Sequence, residues 1–183
     1  MRRLLKLHPD SKRFATTIEV EVERPRADSL ALCYRVTGKM SNVRLSPVMD
    51  ASRSDNLWQH TCFEAFVRAS SGTEYYEFNF APSTQWAAYR FSGYRSGMCV
   101  ADEISTPPME VRSSPDSYIL QTSLELDRLS SLPRHVSWRL GLSALLEDTS
   151  GDKSYWALAH PPGKPDFHHA ACFAHEFFPV VQP

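Results

Sequence analysis

Polar and apolar residues alternate along almost the whole of this chain, and that period leaves room for little besides β structure. Thr17-Ile18-Glu19-Val20-Glu21-Val22-Glu23 is close to an ideal alternation, the period of a strand with one wet and one dry face. Further strands are expected at 29–36, 62–69, 74–81, 85–91, 98–104, 109–112, 118–126, 135–145 and 154–160. Turn residues separate them: Ser70-Ser71-Gly72-Thr73, Ala81-Pro82-Ser83-Thr84 and Glu147-Asp148-Thr149-Ser150-Gly151-Asp152 are clear cases. Leu126, Leu129 and Leu132 fall near helical spacing and predict at most one helical turn. About ten short strands with regular turns argue for an all-β, antiparallel, jelly-roll-like β-sandwich.

At 183 residues the chain reads as a single domain over 1–183, large enough to bury a core without disulfides or metals. Its net charge of −1 comes with no basic stripe beyond Arg2-Arg3 and Lys12-Arg13, which argues against nucleic acid. No apolar run is long enough to span a membrane as a helix. The basic start Met1-Arg2-Arg3 leads into an apolar stretch too short for a signal peptide, so the cytoplasm is the expected location. Cys33, Cys62, Cys99 and Cys172 form no CxxC pair and read as structural free thiols rather than a zinc site.

Parity assigns faces to strands. Cys62, Glu64 and Phe66 share one face, opposite Phe63, Ala65 and Val67. Tyr75, Glu77 and Asn79 oppose the apolar set Tyr76, Phe78 and Phe80. In the following strand Tyr89 and Phe91 are expected in the core, with Trp86, Ala88 and Arg90 on a mixed face. Arg139 and Ser143 oppose Trp138, Leu140 and Leu142. Glu64 is the odd residue, a carboxylate between two phenylalanines. If the mixed faces align, Glu64, Asn79, Arg90 and Arg139 converge beside Trp58 or Trp86. Carboxylate, amide and guanidinium groups hydrogen-bond hydroxyls directionally, and an aromatic ring offers a sugar's apolar face a surface. The plainer alternative is a solvated sheet face on which Glu64 pairs with Arg90 across strands.

The runs "LWQHTCFEAFVR" and "YYEFNFAPSTQWAAYRF", with the closing "WALAHPPGKPDFHH", resemble the DOMON-like proteins related to family 9 carbohydrate-binding modules, in their bacterial single-domain form. The resemblance implies a β-sandwich that binds rather than catalyses, holding a saccharide between two tryptophans above polar groups. Trp58 and Glu64 match one tryptophan and the acidic residue six positions on. Trp156 is the candidate second platform, with His168 or His169 as substitutes, and His60, Asn79, Trp86, Arg90 and Arg139 complete the ligand-binding set. The expected ligand is thus a carbohydrate or similar polar small molecule, and a protein partner is left open.

Three other chemistries compete. Some members of that superfamily bind haem, for which Met40, Met49, Met98 and Met109 with His60, His160, His168 and His169 are the available axial ligands. Glu147, Asp148 and Asp152 present oxygens to a structural Ca²⁺, although an acidic hairpin turn explains them more simply; His160, Asp166, His168 and His169 are a weaker metal set. Glu64 and Glu77 on adjacent strands are the carboxyl pair that a glycoside-processing enzyme needs.

Overall fold

The structure, a computed structural model, describes residues 1–12 and 16–179; Arg13 of the basic pair Lys12-Arg13 lies outside them. Among these residues thirteen strands form two antiparallel sheets. The five-stranded sheet has the order β1 (Arg2–Leu4), β3 (Thr16–Glu23), β4 (Ser29–Gly38), β10 (Ser117–Glu125), β9 (Met109–Ser114). The larger one has the order β2 (Lys6–Leu7), β12 (Lys153–Ala157), β11 (Trp138–Glu147), β5 (Cys62–Ala69), β6 (Tyr75–Phe80), β7 (Trp86–Phe91), β8 (Cys99–Val100). Its eighth strand, β13 (His175–Phe177), shares β11 with β12, pairing at Trp138–Leu140 while β12 pairs at Ser143–Glu147. No α-helix occurs among the described residues. The ten strands expected from alternation correspond to β3–β12; the three additional strands are too short to show a period.

The expected helical turn at Leu126–Leu132 is instead two successive tight turns, closed by Leu129 N donating to Leu126 O at 3.2 Å and Leu132 N to Leu129 O at 3.0 Å. Their spacing still brings all three leucines into the core.

The dry faces meet between the sheets. Ile18, Val20 and Val22 of β3 and Leu30, Leu32 and Tyr34 of β4 pack with Phe63, Ala65 and Val67 of β5, Phe78 and Phe80 of β6, and Trp138 and Leu140 of β11. Each large side chain so buried contributes about 1.5–3 kcal/mol relative to exposure. Tyr34 Oη donates to the Glu64 carbonyl at 2.6 Å, which ties the five-stranded sheet to the strand that carries the conspicuous carboxyl.

The larger sheet is covered on its outer face as well. Phe66, Tyr75, Tyr89, Phe91 and Phe173 form a second buried cluster there, with Leu57 and Phe167 packed against it. The cover is the chain after β12, which Pro161, Pro162 and Pro165 release from strand pairing. It crosses β11 at Gly141, where an added Cβ would sit 3.2 Å from the Cys172 carbonyl oxygen and 3.3 Å from Phe66 Cβ. A side chain at Gly141 would lift this segment off the sheet.

Candidate functional site

Between this cover and the sheet lies a cavity of about 630 Å³, lined by Trp58, Glu64, Glu77, Tyr89, Arg95, Met98, Tyr155 and His168 among others. A smaller concavity of about 410 Å³ on the five-stranded sheet presents Glu21, Glu23 and Glu110 but no aromatic ring. The larger one combines ring surfaces with converging polar groups and falls in the range usual for small-molecule sites.

Strand register builds its floor. Glu64 pairs with Asn79 and Phe66 with Glu77, so the two carboxyls are diagonal neighbours on one face, their Cβ atoms roughly 7 Å apart. Both are buried, Glu64 at 4% and Glu77 at 5% exposure. Glu64 Oε2 accepts from Ser143 Oγ at 3.2 Å, and Glu77 Oε1 accepts from Asn79 Nδ2 at 2.7 Å. One oxygen of each carboxyl is thereby committed to the protein. Burial pushes the pKa of both well above the usual carboxylate range; the neighbouring Glu77 charge adds to the rise at Glu64, while the Asn79 hydrogen bond and Arg95 moderate it at Glu77. Desolvated and close, they titrate as a pair.

The wall comes from the C-terminal segment. His168 is wedged edge-on against Phe66, Tyr75 and Phe91 at ring-centroid distances of 5.2, 5.9 and 5.2 Å. Its Nδ1 is hydrogen-bonded to Tyr75 Oη at 2.8 Å and its Nε2 stands 3.8 Å from Glu77 Oε2. Burial, reinforced by Arg95, lowers its pKa to about 4, so the imidazole is neutral across the physiological range. Asp166 fastens this segment to the loop after β7, accepting from Arg95 Nη2 at 2.8 Å and Arg95 Nε at 3.2 Å, and from the Tyr94 hydroxyl. Gly97 in that loop has φ +61°, and a Cβ there would meet Ser92 Oγ at 2.2 Å, so the turn that presents Arg95 and Met98 requires glycine.

The rim is apolar and open. Asn56 adopts φ 62°, a left-handed conformation asparagine tolerates, and starts the 3-10 turn Leu57–Gln59 that carries Trp58. Trp58 is 50% exposed, Met98 63% and Val100 42%, and all three line the cavity. Tyr89 Oη donates to Asp55 Oδ1 at 2.6 Å on the same side.

The residues singled out from sequence are thus dispersed. Trp58 and Glu64 line the cavity. Asn79 shares their face but is wholly buried beneath it, held by Glu77 and by Cys62 Sγ, which donates to Asn79 Oδ1 at 3.7 Å. His60 lies outside, bound to Glu147 at 2.6 Å alongside Arg44 at 2.9 Å. Arg139 is on the Glu64 face but four residues from Ser143, roughly 13 Å along the strand, and pairs with Glu176 at 3.1 Å.

The expected faces of β7 are reversed. Phe80 pairs with Trp86 and Phe78 with Ala88, so Trp86 and Ala88 enter the core between the sheets, where the Arg53 guanidinium stacks on the Trp86 ring at 4.3 Å. Tyr89 and Phe91 face the cavity. Arg90, opposite Tyr76, is on the other side of the sheet from Glu64, which removes the proposed Glu64–Arg90 pair. Trp156 is likewise a core residue, opposite Ala144, with its indole N–H donated to Ser154 Oγ at 2.9 Å; its neighbour Tyr155 reaches the cavity instead. The hairpin arithmetic was the available signal for β7: a five-residue connection from 80 to 86 keeps even-numbered residues on one face. Nothing in the sequence marks Tyr155 or Arg95, and Met98 stands out there only among the haem candidates.

Of the haem candidates, Met98 and His168 share the cavity. Met40 is buried in the main core, His160 Nε2 is bound to the Lys6 carbonyl at 2.8 Å, and His169 Nδ1 accepts from Ala171 N at 3.1 Å. Asp148 Oδ1 accepts from Ser150 N at 2.8 Å and Asp152 N at 2.9 Å, an Asx-type turn that accounts for the acidic hairpin. No group of three metal-ligating side chains occurs among the described residues.

No family model matches the sequence, and a comparison with curated proteins finds no match. Solved structures are similar in fold. A candidate carbohydrate-binding protein from Bacteroides uniformis superposes with a TM-score of 0.69 at 14% identity, covering 94% of this chain and 83% of that one. A family 9 carbohydrate-binding module from Caldicellulosiruptor kristjanssonii, solved with glucose, gives a TM-score of 0.54 at 12% identity, covering 98% and 86%. The same organism's module with cellotriose gives 0.51 at 11%, covering 87% and 74%. This chain has the fold of the family 9 modules. At such identities the likeness concerns architecture alone.

Proposed function

We propose that the chain binds a carbohydrate, or a polar small ligand of similar shape, in the cavity between the larger sheet and its C-terminal cover. The observation that carries this reading is the pairing of an exposed tryptophan on the rim with two buried carboxyls on the floor, each with one oxygen that accepts no hydrogen bond from the described residues. Trp58 offers a ring face, while Glu64 and Glu77 take hydroxyl hydrogen bonds at depth, where such bonds are strong. The glucose and cellotriose complexes of family 9 modules support the reading by analogy of fold.

Thermal melting with a panel of mono- and disaccharides tests it. A ligand at a hundredfold over its Kd stabilises by about 2.7 kcal/mol, a shift of roughly 5–10 °C at this size. A shift that falls to about half in Trp58→Ala, as tenfold weaker binding gives at the same ligand concentration, supports the proposal; a flat panel refutes it.

The raised pKa of the Glu64–Glu77 pair favours one alternative, a glycoside-processing enzyme with one protonated and one ionised carboxyl. Release of a chromophore from aryl glycosides, lost in Glu64→Gln, would establish turnover; saturable binding without release assigns a binding module. The finer relationship to the DOMON-like proteins brings the haem alternative, centred on Met98 and His168, and a visible spectrum without a Soret band removes it.

A further inference from the structure

The charges around the cavity are lopsided, and this bears on which saccharide the site takes. Asp55, Glu64 and Glu77 face it. Among the described residues the one guanidinium on its wall is Arg95, which Asp166 holds at 2.8 Å. His168 contributes a neutral ring. Glu64 Oε1 has no protein donor among the described residues, and Glu77 Oε2 has only His168 Nε2 at 3.8 Å, beyond hydrogen-bond reach.

Resting on the reading above, we propose that the cavity selects a saccharide bearing a free ammonium group, an amino sugar, over neutral or N-acetylated sugars, with the ammonium seated against Glu64 Oε1 and Glu77 Oε2. An ammonium has three donors and one charge, so it satisfies both open oxygens and neutralises one carboxylate. A hydroxyl donates once and brings no charge, so the pair keeps its protons and gains no ion pair. Acetylation removes the charge.

Empty, the pair holds protons near neutrality; the ammonium takes the place of one of them, and that proton passes to the buffer. The groups facing the pair are Cys62 beside Glu64, Ser143 of β11, Tyr75 and Asn79 of β6, Tyr89 with Asp55, and His168 with Arg95 and Asp166. Burial pushes Cys62, Tyr75 and Tyr89 upward, and it lowers His168 to about 4. A preference that grows between pH 5 and pH 7 therefore reports the carboxyl pair.

Calorimetric titration of the full chain with glucosamine, glucose and N-acetylglucosamine decides the matter, run at pH 7 in two buffers of different ionisation enthalpy and repeated at pH 5. Glucosamine is expected to bind about tenfold or more tightly than the others, as one charge-assisted contact supplies, with close to one proton released. At pH 5, and in Glu64→Gln and Glu77→Gln variants with intact melting transitions, the preference shrinks to about twofold. If a variant fails to fold, the proton count and the pH 5 comparison on the unaltered chain carry the test. Glucose bound as tightly as glucosamine, or an unchanged preference at pH 5, overturns the inference and leaves the sugar site standing. No binding of any sugar overturns both.

Discussion

Replacing Glu64 by Gln should make the protein more stable at neutral pH while removing a ligand contact. The Glu64 carboxyl is buried, and its pKa is raised from 4.5 to about 8. A carboxyl whose folded pKa lies above its unfolded value binds more protons when folded, so its favourable contribution is complete at acid pH and is lost as pH climbs through the folded value. Between pH 5 and pH 7 the unfolded chain releases the proton that the folded chain keeps. At about 1.4 kcal/mol per pH unit, two units cost the wild type about 3 kcal/mol that the glutamine variant does not lose. The introduced amide still offers Ser143 an acceptor, so the difference carries little packing change. Titrating groups other than Glu77 cancel when variant and wild type are subtracted at each pH, and Glu77 itself is relieved of a like charge in the variant, which acts in the same direction. Urea unfolding at pH 5, 6, 7 and 8, followed by tryptophan fluorescence, measures it. The stability difference should move in the variant's favour by about 3 kcal/mol from pH 5 to pH 7. Parallel profiles would show that Glu64 ionises freely in the folded state, and the argument from its burial would be wrong.

Three further outcomes are expected. Trp58→Ala should leave the unfolding midpoint within about 0.5 kcal/mol of wild type because the ring is half exposed, yet weaken sugar binding about tenfold, a pairing that titration and melting read together. Gly141→Ala should destabilise by about 1–3 kcal/mol, since the new methyl meets the Cys172 carbonyl and Phe66; hydrogen exchange should quicken first at 166–173. His168, with its pKa lowered to about 4, contributes stability that is full above its unfolded value near 6.5 and is lost as pH falls through about 4. An NMR titration of its ring should show no protonation at pH 6, and a midpoint near 6.5 would contradict its burial among the aromatic rings.

Alternation alone located ten strands, because one buried face per strand forces period two. It failed where both faces are covered. In β7 every residue but Arg90 is buried, so apolarity does not say which way a side chain points, and the rings of Tyr89 and Phe91 lie in the layer opposite to the expected one. Trp156 is singled out by the resemblance to two-tryptophan modules, and its half-buried neighbour Tyr155 carries no such mark. Glu64 was legible as an anomaly, a carboxyl in an apolar strand. Its surroundings were not legible, because the segment that encloses it lies about a hundred residues away in sequence and carries no period at all.

The division of labour between ladder and cover bears on how such a site diversifies. Glu64, Glu77, Asn79 and Ser143 are fixed by strand register across three adjacent strands, where a single slip would turn each of them to the opposite face. The residues that close the cavity, from Pro165 to His168, belong to a segment without strand pairing, anchored mainly through Asp166 and the His168 ring. Its sequence and length can vary without disturbing a single ladder. A lineage of such chains can therefore exchange one wall for another over an unchanged acidic floor, and a library randomised around the two anchors would sample new ligands at little cost in folding.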